Sequence, residues 1–180
     1  RRNRYYVVYY YYNEDGDKKQ KWEPFDTEAE AKHRKAEIEY KQSSHTFIAP
    51  NKTTVAAFLE DFVNLYGTKK WSPSTYEANK GIIRNYINPK LGDMLMQDVT
   101  PIAADRFISA LQKTKCPTYQ NRYSKTEYMT PANIARVNKL LRCAFGQAVR
   151  WDIIAKNPFE NTTLPKVKRK PREIWDAATI

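Results

Sequence analysis

Three dipeptides, Ser72-Pro73, Thr100-Pro101 and Thr130-Pro131, each stand at the head of a run of apolar residues at helical spacing, and together they direct this chain toward a helical bundle. A Ser or Thr hydroxyl accepts from the free N–H groups of a first helical turn, and a proline just after it has a helical φ and no N–H to leave unpaired. The first run carries Tyr76, Ile83 and Ile87 inward, and the second buries Phe107, Ile108 and Leu111. The third holds Ile134, Val137, Leu141, Ala144, Phe145 and Ala148 on one face and is expected to continue past Trp151. Upstream, Val55, Phe58, Leu59, Phe62, Leu65 and Tyr66 form one more stripe, which Gly67 is expected to stop.

The first part of the chain has a different pattern. RYYVVYYYY at 4–12 is dense in β-formers, and NEDGDKK at 13–19 has the chemistry of a tight turn before QKWEPF, which predicts a hairpin. Alternation puts Arg4, Tyr6, Val8, Tyr10 and Tyr12 on one face and Tyr5, Val7, Tyr9 and Tyr11 on the other. Asp26-Thr27 caps a helix running to about Gln42, with Glu28 and Glu30 at the positive end of its macrodipole. One sheet face covers that helix. The other presents tyrosine hydroxyls and, from the second strand, Lys18, Lys19 and Lys21, either to a DNA groove or simply to water. The predicted organisation is therefore a hairpin-plus-helix unit at 1–45, a linker at 46–53, a four-helix bundle at 54–165 and a basic tail at 166–180. Residues 115–129 read as an exposed insertion between the last two helices.

Charge narrows the partner. The net charge is +11, and its excess lies outside the hairpin unit: residues 1–45 hold 10 Lys+Arg against 9 Asp+Glu, 46–165 hold 16 against 9, and 166–180 hold 5 against 2. A polyanion is the partner this balance favours. No run is long enough to cross a bilayer and no secretory signal opens the chain, so a cytoplasmic, nucleoid-associated protein is expected. Cys116 and Cys143 lack metal-ligand spacing, and Cys143 is expected to pack within its helix. No phosphate loop, zinc motif, triad or paired carboxylates can be found, so no metal and no cofactor are expected.

Wound at 100° per residue, Arg136, Lys139, Arg142, Cys143 and Arg150 share about a third of the last helix, opposite its apolar stripe. A solvated helix face is the default reading of such a cluster. From Asn133 to Arg150, however, there is no Asp or Glu, whereas a solvated helix ordinarily mixes signs to gain i,i+4 pairs. An acid-free face suits phosphates. The Ser72-Pro73 helix adds Lys69, Lys70, Trp71 and Ser72 at its entry and Lys80, Arg84 and Asn85 along it, opposed by Glu77; Arg84 and Asn85 either reach base edges or stand merely exposed. In the tail, Lys166, Lys168, Arg169 and Lys170 form a basic strap whose other reading is a localisation patch or a solvated linker.

The ordered set Asn88-Pro89-Lys90-Leu91-Gly92, Val99-Thr100-Pro101, then Ala144-Phe145, Ala148-Val149 and Asn157-Pro158, resembles the core-binding domain of phage-type tyrosine recombinases, the integrases. The phrase Phe25-Asp26-Thr27-Glu28-Ala29-Glu30-Ala31 after a hairpin is similar to the arm-type DNA-binding domain found at the amino terminus of many of them. The resemblance implies a SAM-like bundle laid across core-type DNA, and a three-stranded sheet in the major groove of arm-type DNA whose first strand is cut short or missing here. It also implies a basic strap leading to a catalytic domain. Integrases cleave DNA with a tyrosine nucleophile assisted by two arginines, a lysine and a histidine. Their His-x-x-Arg box is missing, since neither His33 nor His45 has an arginine three residues on, and Arg142 of Leu141-Arg142 lies in a bundle helix.

The expectation is thus the arm- and core-binding part of an integrase that bridges two kinds of double-stranded DNA site, beside further integrase protomers, in integration and excision. This part would bind without cutting, and the parent protein would be a recombinase. A transcription regulator or architectural protein is the alternative, with an RNA-binding module behind it.

Overall fold

The computed structural model describes residues 4–13, 16–44, 46–115 and 127–166. Cys116, His45, Lys168, Arg169, Lys170 and most of the 115–129 insertion lie outside them.

Strands β1 (Tyr5–Tyr12) and β2 (Lys18–Phe25) pair antiparallel, Tyr5 opposite Phe25 and Tyr12 opposite Lys18. The turn is tied by the Asn13 side chain, which accepts from the Asp17 N–H at 2.7 Å, and by Gly16 at φ +81°, a backbone state open to glycine without strain. Helix α1 (Glu28–Ser43) starts as predicted, with Thr27 Oγ1 accepting from the Glu30 N–H. Val7 and Tyr9 from β1 and Ala31 and Ile38 from α1 make a small core, against which Tyr11, Phe25 and Phe47 pack.

The bundle has its own, larger core, with 24 buried apolar residues among those described. Helix α2 (Val55–Phe62) continues through a π-helical stretch, Val63–Gly67, into the short α3 (Thr68–Lys70). Helix α4 (Pro73–Ile82) passes through a second π-helical stretch, Ile83–Ile87, into α5 (Asn88–Leu91). A 3-10 turn (Met96–Asp98) leads to α6 (Pro101–Gln112), and α7 (Pro131–Arg150) is the long last helix. All three Ser/Thr-Pro starts are N-caps: Ser72, Thr100 and Thr130 accept from the N–H groups of Thr75, Ala103 and Asn133.

The Leu91-Gly92 pair acts at a distance. The chain after Gly92 turns back onto the start of α2, where the Gly92 and Met94 carbonyls accept from Ala56 (3.0 Å) and Val55 (2.8 Å). Two first-turn donors that no helix can satisfy internally are thus paired.

The structure departs from the sequence reading in four places. Leu65 is exposed rather than buried, because the π stretch widens the turn and brings Val63 and Gly67 inward instead. Gly67 does not stop the helix. It has helical φ and makes room for Trp71, whose ring atoms would lie 2.7 Å from a Cβ at that position. Helix α7 ends at Arg150, with Trp151 as its cap and Asp152 in the left-handed region at φ 55°. Finally, Met129 is buried, and the described ends of the insertion meet in an antiparallel bridge between Lys115 and Tyr128.

Candidate nucleic-acid interface

On α7, Arg136, Lys139, Arg142 and Arg150 are all exposed, and so are Asn133 and Cys143. Arg136, Lys139, Cys143, Gln147 and Arg150 fall within about 80° of one another, a nearly straight stripe rising over roughly 21 Å. Arg142 stands one helical step to the side. The apolar stripe opposite holds the helix against α2 and α6, so the bundle core sets which way the cations face.

Among the described residues, the ion pairs divide sharply between the two parts of the chain. Lys19, Lys21, Lys32, Arg34, Lys35 and Lys41, all in the hairpin unit, are paired with acids. Outside it, only Lys115 is, with Glu127 at 2.7 Å. Among the described residues none of the α7 cations is paired with an acid, and the contacts of Arg150 there are a 3.4 Å hydrogen bond to Gln147 and an electrostatic pull on the Tyr66 phenol. A row of desolvatable cations without internal counter-ions is what phosphate binding requires.

The Ser72-Pro73 corner is less open than the sequence suggests. Trp71 is half-buried, edge-on to Phe62 at 5.6 Å and Tyr66 at 6.2 Å, so its ring serves the core. The Ser72 hydroxyl is used as a cap. Lys69 and Lys70 are exposed on α3. Lys80 lies over the Tyr76 ring at 5.2 Å, and Arg84 donates to the Asn85 side-chain oxygen Oδ1 at 3.3 Å. A groove of about 630 Å³ between α2 and α4 places Lys80 and Arg84 beside two carboxylates, Glu77 and also Glu60 from α2, which sequence spacing could not bring to that surface. This face is of mixed sign, in contrast to α7.

The three hairpin lysines do not share a face. Cross-strand register puts Lys18 opposite Tyr12 on the open side, while Lys19 and Lys21 stand opposite Tyr11 and Tyr9 on the side of α1. There they pair with Asp17 (3.4 Å) and Glu23 (3.8 Å). The open face is aromatic: Tyr6, Tyr10, Tyr12 and Trp22 are each at least half exposed, with Val8 between them and Lys18 over the Tyr10 ring at 4.5 Å. Arg4 is exposed just before β1 and Lys166 is exposed at the last described position. Trp22 was missed as a surface residue because its place opposite Val8 depends on the turn length.

The Cys143 expectation also changes. Its thiol is exposed in the middle of the cationic stripe and donates to the Tyr66 hydroxyl at 3.9 Å. No cluster of His, Cys, Asp and Glu among the described residues is arranged to hold a metal ion. No helix among them is long and apolar enough to cross a membrane.

Residues 54–112, from the cap of α2 to the end of α6, match the family model for the phage integrase N-terminal SAM-like domain. That stretch resembles a phage integrase SAM-like domain. The integrase-like domain of Bacillus cereus shares its fold, with a TM-score of 0.52 at 20% identity over 68% of this chain and 92% of that one. Two further solved structures are similar over about two thirds of the chain. The phage integrase SAM-like domain of Moorella thermoacetica has 20% identity over 70% of this chain and 97% of its own, TM-score 0.47. A Clostridium leptum fragment has 17% identity over 67% and 95%, TM-score 0.48. No curated protein sequence matches the chain.

Proposed function

We propose that residues 1–180 are the DNA-binding region of a tyrosine recombinase, acting at the nucleoid, in which the SAM-like bundle grips core-type duplex and the hairpin unit grips arm-type duplex. The observation that carries this reading is the cationic face of α7: Arg136, Lys139, Arg142 and Arg150 are exposed together, with no acid on their helix and, among the described residues, none paired to them. Cations held this way gain from each phosphate they neutralise and lose nothing from an internal partner. In the hairpin unit the side chains presented for base and sugar contacts are the open-face tyrosines, Trp22, Gln20 and Lys18, while its remaining charges are mostly spent internally. Such a face contributes shape and hydrogen bonding more than charge, so arm binding by it is weaker and less salt-dependent than core binding by α7. Two grips on one chain let the protein bridge separated sites in an assembly with other protomers.

Selection of bound duplexes from a random pool tests the proposal, using the 180-residue chain and a variant carrying Tyr10→Ala and Trp22→Ala. Two unrelated sequence motifs, one of them lost in the variant, are expected. A single motif that survives the double substitution would refute the arm-binding assignment. Absence of duplex binding at low salt would refute the whole reading.

A further inference from the structure

The α7 stripe has a gap. Between Lys139 and Arg150 the residues on its line are Cys143 and Gln147, both uncharged, so roughly 16 Å of helix offers no cation along that line. The Tyr66 hydroxyl meets the stripe in that interval. Tyr66 comes from the π-helical stretch after α2, and its ring is fixed by stacking on Phe62 (centroids 5.0 Å apart, 14° between planes) and by the edge of Trp71 at 6.2 Å. Within that π stretch Val63 and Gly67 face inward and Leu65 is exposed.

The phenol oxygen accepts from the Cys143 thiol, which leaves its own O–H proton uncommitted among the described residues. A phenol is protonated at neutral pH, so the group is a donor there. It therefore faces the same surface as the cations and is oriented before any ligand arrives.

We infer that the Tyr66 hydroxyl is a phosphate contact of the DNA interface, a neutral donor filling the uncharged centre of the α7 cationic stripe, with Cys143 as the residue that orients it. The inference rests on the duplex-binding reading above. A preset hydroxyl fixes the register of the helix on the backbone at little entropic cost, where a longer side chain would lose rotamer freedom on binding.

Tyr66→Phe keeps the ring and its stacking and removes only the donor. Binding of a short mixed-sequence duplex is to be measured by fluorescence anisotropy at several salt concentrations for the native chain, Tyr66→Phe and Arg142→Ala, with thermal unfolding of each. Tyr66→Phe is expected to weaken binding roughly tenfold, the worth of one hydrogen bond to a charged group, with an unchanged melting temperature and salt slope. Arg142→Ala should weaken binding and also reduce the slope by about 0.9. Native affinity in Tyr66→Phe alongside a weakened Arg142→Ala overturns this inference and leaves the proposed function standing. Weakening accompanied by a lower melting temperature overturns it too, because the role would then be structural. Native affinity in both variants removes the proposed function along with it.

Discussion

The side-chain amide of Gln97 donates to the Ala49 carbonyl at 2.9 Å, and the same nitrogen lies 3.2 Å from the Ile153 carbonyl, while its oxygen accepts from the Asn51 N–H at 3.4 Å. The segment read from sequence as a free linker is thus clasped to the turn that follows α7. At its other end, Phe47 sits edge-on to Tyr9 at 5.7 Å, in the small core of the hairpin unit. Gln97→Ala is expected to expose the amides of Ala49, Asn51, Lys52 and Thr53 to faster hydrogen exchange. The accompanying loss of bundle stability should be about 1 kcal/mol, since these bonds are largely open to water.

Phe159 is fully buried, 4.9 Å from Phe145 and perpendicular to Phe107 at 6.3 Å, so the chain beyond α7 belongs to the core. Asn157 holds it there through a 2.9 Å bond to the Arg142 carbonyl. Phe159→Ala should cost about 3–5 kcal/mol in denaturant unfolding. A cost near 1 kcal/mol would show that the segment is only loosely attached.

Two helical glycines should respond with opposite signs to the same change. A methyl at Gly67 meets the Trp71 ring at 2.7 Å, so Gly67→Ala is expected to destabilise by about 1–3 kcal/mol and to shift tryptophan emission. Nothing lies within 4 Å of a Cβ at Gly81, and Gly81→Ala should stabilise by about 0.5–1 kcal/mol through helix propensity alone. Equal effects at both sites would contradict the packing described around Trp71.

Acid should loosen the hairpin unit. Arg34 bridges Glu23 on β2 (2.8 Å) and Glu37 on α1 (2.9 Å), and the Tyr9 hydroxyl also donates to Glu23 at 2.7 Å. Lys41 and Arg34 hold the Glu37 carboxyl down to about 2 from its ordinary 4.5, and Arg34 is the main cause of a lowered Glu23. Both carboxyls have folded values below their unfolded ones, so their contribution is present above about 4.5 and is lost as the pH falls toward 2. Glu37 is partly exposed, and solvent screening keeps its share modest. Tyrosine near-ultraviolet dichroism followed through that range should show a transition that Arg34→Ala moves to higher pH.

Local signals in the sequence were readable where one short-range interaction decides the outcome. Caps at Ser72, Thr100 and Thr130, the Asn13–Gly16 turn and the α7 apolar stripe each depend on residues a few positions apart. What escaped depends on geometry that no spacing encodes. A π turn moved Leu65 outward and Tyr66 onto the α7 surface; the hairpin register separated Lys18 from Lys19 and Lys21; and the approach of α2 to α4 brought Glu60 beside Lys80 and Arg84. The cationic character of α7 was visible as a missing residue type, Asp or Glu, but the freedom of those cations from partners elsewhere in the fold was not.

The most direct test of the α7 interface is the salt dependence of duplex DNA binding by the native chain and by Arg136→Ala/Arg142→Ala. Each lost phosphate contact lowers the log–log slope by about 0.9, so the double variant should bind more weakly at low salt and show a slope smaller by about 1.8. An unchanged affinity and slope would place the DNA elsewhere and contradict the account.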